Sequence, residues 1–331
     1  MHSLRQSFTI KFGALAAALI AAIFLGFSLG AVRLPAWDSP IFLQVRLPRV
    51  CACILCGAAL AAAGLLSQTL LGNPLASPAL LGVNAGAGLA IAGAGVLALA
   101  AKHLPLVAFA GAVVASLLIF CLSLRTKRSA LLLAGAAILS MFSAAIDAVH
   151  TLFPAALPSY SAFMLGNFSS VSWRRITPSY LFVVAGIITA FLLCGQLDVF
   201  ALGDETARSL GQRVHVVRAA ALLAGAVLAG AAVSICGLLG FVGLMSPHLA
   251  RMIFRTAKHS VLLPACLLLG AALVTFCDTM SRTLFAPYEL PAGIALSLIG
   301  GPFFLYLLLH KRPAFSSEKS TFSEEKVAKR L

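Results

Sequence analysis

The chain has 331 residues, of which 61% are hydrophobic and 10% charged, with a mean hydropathy of +1.02. Soluble domains carry about 25% charged residues, so this composition excludes a soluble globular protein and implies an all-α, polytopic membrane protein. The formal net charge of +14 does not mark a nucleic-acid partner, because the basic residues are dispersed between apolar runs; membrane lipid is the expected surrounding.

A bilayer crossing takes about 20 apolar residues. Runs free of Asp, Glu, Lys and Arg cover Phe12–Val32, Val50–Ala101, 103–124, Ser129–Ile146, Ile176–Leu197, Ala219–Ala250, His259–Cys277 and Leu290–His310. Gly72-Asn73-Pro74 and Pro78 split the second run, and Gly237, Gly240, Gly243 and Pro247 break the sixth. Nine full-length helices and a short tenth piece around Phe241–Phe254 are therefore expected. Loop charge orients them. With Arg5 and Lys11 cytoplasmic, the groups Arg125/Lys127/Arg128, Arg208/Arg213/Arg218 and Arg255/Lys258/His259 share that side with the basic tail only if the short piece crosses. Ten segments with both termini cytoplasmic result. Residues 1–312 form one membrane domain, and 313–331 have the polar composition of a disordered tail. The first run is too long for a signal-peptide core and lacks a small-residue cleavage site, so a retained helix is expected.

Along the chain, Trp37 reads as an interfacial anchor. Pro48 suits the first turn of the second helix, and Arg46 and Arg49 share one face. On the outer side these arginines are either snorkelling anchors or a contact for an acidic partner. The eight cysteines lie in apolar runs, and even Cys53-Ile-Leu-Cys56 has no His or acidic neighbour, so small-residue packing is expected and no metal site. Asp147 and His150, three apart, form either a proton site or an interfacial hydrogen-bonded pair. Residues 198–214 are the longest polar interruption. Two short helices fit, Asp198–Gly203 and Asp204–Gly211, each opened by an Asp cap and closed by a Gly. They are too short to stand alone. His248 reads as a structural histidine, and Asp278 and Arg282 as an i,i+4 pair.

Several blocks carry a resemblance: R-L-P-R-V with C-G-A-A-L-A-A-A-G, N-P-L-A-S-P-A-L-L-G-V-N-A-G-A, A-L-G-D-E-T-A-R-S-L-G (201–211), G-L-L-G-F-V-G-L-M-S-P-H-L-A-R (237–251), and E-L-P-A-G-I-A-L-S-L-I-G-G-P-F-F-L-Y-L-L (289–308). In this order they resemble the permease subunits of FecCD-type ABC importers, which carry iron–siderophore complexes, haem or cobalamin across the bacterial inner membrane. The resemblance implies ten membrane segments. It implies that Leu202, Gly203, Asp204, Glu205, Ala207, Arg208, Leu210 and Gly211 dock in a cleft of the ATP-hydrolysing subunit. Arg46, Arg49 and Arg282 would grip glutamates of a periplasmic binding protein, with Asp278 orienting them. Asn73, Pro74 and Leu75 would form the inner gate, with Ser129 in the second gate loop and Asn84 lining the pathway.

The chain has no G-x-x-x-x-G-K-[ST] phosphate loop, so it binds no cofactor of its own, and ATP and Mg belong to a partner ATPase. The expected assembly is two permeases (a second copy or a close paralogue), two ATP-binding subunits and one periplasmic binding protein. The cargo is a metal chelate, an iron(III)–siderophore foremost, with haem, cobalamin or molybdate as alternatives. A proton-coupled transporter using Asp147 or Asp278 and an intramembrane enzyme built on His248 are the competing classes.

Overall fold

The computed structural model describes residues 2–30, 39–123, 128–284, 286 and 288–309, and every regular element among them is helical. Twelve α-helices follow one another: α1 (His2–Ser28), α2 (Leu47–Leu71), α3 (Val83–Val96), α4 (Leu104–Ser123), α5 (Arg128–Leu152), α6 (Leu157–Met164), α7 (Trp173–Ala201), α8 (Asp204–Ser209), α9 (Val214–Cys236), α10 (Val242–Phe254), α11 (His259–Thr283) and α12 (Ala292–Leu309). Trp37, Arg125, Lys127 and the basic tail lie outside the described residues.

The centre of the bundle is α2, which packs against α11, α9, α10 and α7. Its run of Ala and Gly is the reason. In lipid, helices associate by close backbone approach rather than by burying grease, and small residues permit that approach. A Cβ on Gly57 would stand 2.2 Å from the Gly270 carbonyl oxygen of α11, and one on Gly64 1.9 Å from that of Gly243 in α10. By contrast, α5 keeps Leu133 and Met141 outward.

Among the described residues seven helices are long and apolar enough to cross a membrane, within Phe8–Ser28, Phe42–Leu71, Ala101–Leu122, Leu133–Leu152, Trp173–Ala201, Val214–Cys236 and His259–Thr283. Nine full-length crossings were expected; among the described residues seven helices reach that length, and α3, α10 and α12 are shorter. For α3 the cause is local. After Asn73-Pro74 the chain spends Pro78–Leu81 on a 3-10 turn and restarts at Gly82 in the left-handed region, leaving 14 helical residues, about 21 Å.

The expected break in the sixth run is present. Gly237 at φ +74 ends α9, and Phe241 at φ +64 precedes α10. Irregular backbone at membrane depth must find partners inside the protein. Here Leu238 N donates to Phe163 O at 3.0 Å, Asn167 N to Cys236 O at 2.7 Å, and Gly293 N to Gly166 O at 3.0 Å. The α6 connection thus stitches α9, α10 and α12 together.

Candidate functional site

The polar groups gather at the two ends of the bundle. At one end, three arginines expected to be distant in sequence but related in role do converge. Arg49 donates from Nε to Asp278 Oδ2 and from Nη2 to Oδ1, both at 3.0 Å, and from Nη1 to Glu289 Oε2 at 2.9 Å. Arg282 Nε stands 3.7 Å from Asp278 Oδ2, and its Nη2 donates to Gly26 O. Arg46 Nη1 donates to Phe27 O at 2.7 Å, and its Nη2 and the Arg282 Nη1 both lie beside Gly30.

All three arginines are buried, 5%, 7% and 5% exposed for Arg46, Arg49 and Arg282. Asp278, itself 2% exposed, supplies the counter-charge that draws them in, since a buried carboxylate needs pairing and hydrogen bonds. Its i,i+4 partner Arg282 is present but secondary to Arg49. Glu289, half-exposed in the turn before α12, was missed in the sequence because it lies 240 residues from Arg49.

Pro48 lies in the first turn of α2, as expected, but a π-helical turn, Phe42–Arg46, leads directly into that helix. The wide turn bonds Leu47 N to Phe42 O. The next carbonyl in that register, Leu43 O, would face Pro48, which has no N–H. Trp173 Nε1 donates to Leu43 O instead, at 3.0 Å. Proline thus frees the acceptor that anchors α7 to α2.

At the other end, residues 198–214 form one short helix, not two. Asp198 lies in the last turn of α7, which runs on to Ala201, so its expected role as a helix cap is corrected. Its Oδ1 instead accepts His259 N at 2.8 Å and faces His259 Nδ1 at 2.6 Å. The glycine stops are as expected, with φ +110 at Gly203 and +80 at Gly211. Asp204 opens α8 without capping it and pairs with Arg218 of α9. Gln212 Nε2 donates to Gln196 O at 2.7 Å. Ala207 is fully buried in its own chain, while Leu202 and Leu210 are 61% and 63% exposed, with Glu205 and Arg208 exposed beside them. The α8 unit is thus pinned by its Ala207 side and presents two leucines outward.

Two further contacts at this end were not legible in the sequence. His259 Nε2 lies 2.7 Å from Thr69 Oγ1, so one imidazole joins the last turn of α7 to the last turn of α2. Gln68 Oε1 accepts from Arg251, and its Nε2 donates to the Gly243 and Leu244 carbonyls at 3.4 Å. The turn that follows is an Asx turn: Gly72 closes α2 at φ +59, and Asn73 Oδ1 accepts Leu75 N at 2.9 Å. Pro74 is exposed in it.

Asn84 is partly buried at the start of α3, and Ser129 lies in the first turn of α5. Asp147 is exposed and makes no side-chain bond to His150, whose ring stands edge-on to Tyr160 at 4.5 Å. Burial first, and then the nearby Asp147 charge, push the Tyr160 hydroxyl's pKa up. His248 packs edge-on to Phe303 at 6.1 Å. All eight cysteines are free, and among the described residues no three His, Cys, Asp or Glu side chains are placed to hold a metal.

A greasy helical bundle whose charged groups gather toward its two ends, one of them carrying a pinned and partly exposed short helix, has the architecture of a polytopic membrane protein. Residues 8–310 match the FecCD transport family. The chain is 38% identical over 284 residues to the hemin transport system permease protein HmuU of Yersinia pestis, covering 82% of this chain and 84% of that one. It is 36% identical over 275 residues to the Fe(3+)-citrate import system permease protein YfmE of Bacillus subtilis, covering 81% of each. It is 37% identical over 273 residues to the vitamin B12 import system permease protein BtuC of Salmonella paratyphi A, covering 80% and 82%. Among solved structures, an inward-facing metal-chelate type ABC transporter superposes with a TM-score of 0.84 at 26% identity, over 92% of this chain and all of that one. The chain is a transport permease and belongs to the FecCD transport family.

Proposed function

We propose that this chain is the membrane-spanning permease subunit of an ATP-driven importer for a metal chelate, with an iron(III)–siderophore complex as the first candidate, in the bacterial inner membrane. The observation that carries this reading is α8: a short helix tied to α9 by Asp204–Arg218 and to its own chain by Ala207, yet offering Leu202 and Leu210 to a partner. Exposed leucines on a rigid support are what a receiving cleft on an ATP-hydrolysing subunit would fill.

In this reading the seven long helices and α3, α10 and α12 make ten crossings, with both termini and α8 cytoplasmic. The outward face of α5 meets a second copy or a close paralogue, and cargo passes between the two permeases, past Asn84 and the Asn73–Leu75 turn and the start of α5 at Ser129. Two ATP-binding subunits sit below. A periplasmic binding protein sits above, over Arg46, Arg49 and Arg282. Docking there requires an exchange of partners, because Arg49 is already held by Asp278 and Glu289; Glu289, the exposed member, is the carboxylate that a partner's glutamate would replace. The cargo range follows the relatives, whose names give hemin, ferric citrate and vitamin B12.

A proton-coupled mechanism gains no support from the geometry: Asp278 is locked by two arginines and Asp147 faces outward from α5. Co-purification of the cognate ATPase with wild-type chain and with Leu210→Asp tests the reading; retention by the variant at the wild-type level would remove α8 from the coupling role.

A further inference from the structure

At the end of the bundle that holds the arginine cluster, a cavity of about 360 Å³ opens between the start of α4, the 170–172 turn and the start of α7. We infer that it is a binding site for an anionic phospholipid, whose phosphate is held by Lys102, Arg174 and Arg175 and whose acyl chain runs along Phe109 and Phe182.

The charge argument comes first. In a chain with 10% charged residues, three cations line one cavity, and no carboxylate lines it with them. Lys102 and Arg174 are exposed and have no hydrogen-bond or ion-pair partner among the described residues. Arg175 is held in place by Nε to Ser234 O at 3.4 Å and Nη1 to Ser170 Oγ at 3.2 Å, which leaves Nη2 unpaired among the described residues. Elsewhere Arg49, Arg282 and Arg218 are met by Asp278, Glu289 or Asp204. Here the bundle supplies the hydroxyls of Ser170 and Ser172 instead, while those of Ser179 and Ser234 bond to each other and to Ala231 O. A guanidinium pair, an ammonium and hydroxyl donors are the recognition set of a phosphate.

The second argument is the wall. Below the cations the lining becomes apolar: Pro105, Leu106, Phe109 and Phe182, with the two rings 4.7 Å apart. Leu106 and Phe182 are 68% and 44% exposed on α4 and α7, two helices whose faces are largely uncovered by the bundle. A small soluble anion has no use for that wall, whereas a lipid fits both halves. Trp173 beside the site, anchored to Leu43 O, places the cations at headgroup depth, where indoles concentrate.

The test is native mass spectrometry of the delipidated full-length chain, titrated with phosphatidylglycerol or phosphatidylcholine, for wild type and Lys102→Gln/Arg174→Gln. Neither replaced side chain bonds to a described residue, so folding is expected to be retained; Leu106→Trp, which fills the cavity without altering charge, is the second variant. The inference expects one phosphatidylglycerol per chain held preferentially over phosphatidylcholine, weakened roughly tenfold or more in the double variant, as loss of two headgroup-facing cations implies, and lost in Leu106→Trp. Equal retention of both lipids by wild type, or unchanged phosphatidylglycerol binding in both variants, would overturn it. So would displacement of the lipid by millimolar inorganic phosphate, which would mark a free-anion site.

Discussion

Arg49 and Asp278 meet through two parallel hydrogen bonds across 229 residues of sequence, with 8% and 2% of their side chains exposed. This contact ties the start of α2 to the end of α11 and gathers Arg282 and Glu289 around it. Removing one partner of a buried pair strands the other charge. Arg49→Ala should therefore cost about 3–5 kcal/mol, read as a lowered midpoint of thermal unfolding in detergent. Arg49→Met/Asp278→Leu should recover most of the loss, since neither charge is then left alone.

His259 links Asp198 on the α7–α8 side to Thr69, four residues before Asn73. Any motion of α8 reaches the Asx turn most directly through this ring. Asp198→Asn keeps a hydrogen-bond acceptor and should preserve ATP hydrolysis and uptake together. His259→Ala should lower uptake per ATP hydrolysed in proteoliposomes while leaving the ATPase bound. An unchanged ratio in His259→Ala would show that the two ends communicate by another route.

The exposed and buried sides of α8 should behave oppositely. Leu202→Asp and Leu210→Asp should leave the permease folded, by size-exclusion profile, yet reduce ATPase co-purification at least tenfold. Ala207→Asp should instead lower the yield of folded chain, because that side chain has no access to water and an unpaired buried carboxylate is costly.

Small residues set the spacing of α2 and α10. Gly64→Ala would place a methyl 1.9 Å from the Gly243 carbonyl oxygen, a backbone atom that cannot swing away. A destabilisation of about 1–3 kcal/mol is expected, the usual cost of overpacking. Gly13→Ala, inside α1 where a Cβ meets nothing within 4 Å, is the control and should not lower the unfolding midpoint, since alanine is the better helix former.

Much of this molecule was readable from residue order. Apolar runs and their Gly-Pro interruptions located the main helices, and the Gly203 and Gly211 stops follow from the left-handed backbone those turns need. Asp198 misled because a capping residue and a carboxylate in a helix's last turn look alike locally; only His259, 61 residues away, decides between them. Helix length at α3 depended on a 3-10 turn that hydropathy does not register. Arg46, Arg49 and Arg282 were grouped through family resemblance, but their burial depends on Asp278 and Glu289 arriving from the far end of the chain. Long-range pairing of this kind leaves no local periodicity.

The most direct measurement is uptake of ⁵⁵Fe-labelled siderophore, presented by the cognate binding protein, into proteoliposomes containing the permease with and without its ATP-hydrolysing partner. Accumulation should require the partner and ATP inside the same assembly, and Leu210→Asp should abolish it. Accumulation by the permease alone under an imposed proton gradient, with no nucleotide present, would contradict an ATP-driven permease outright.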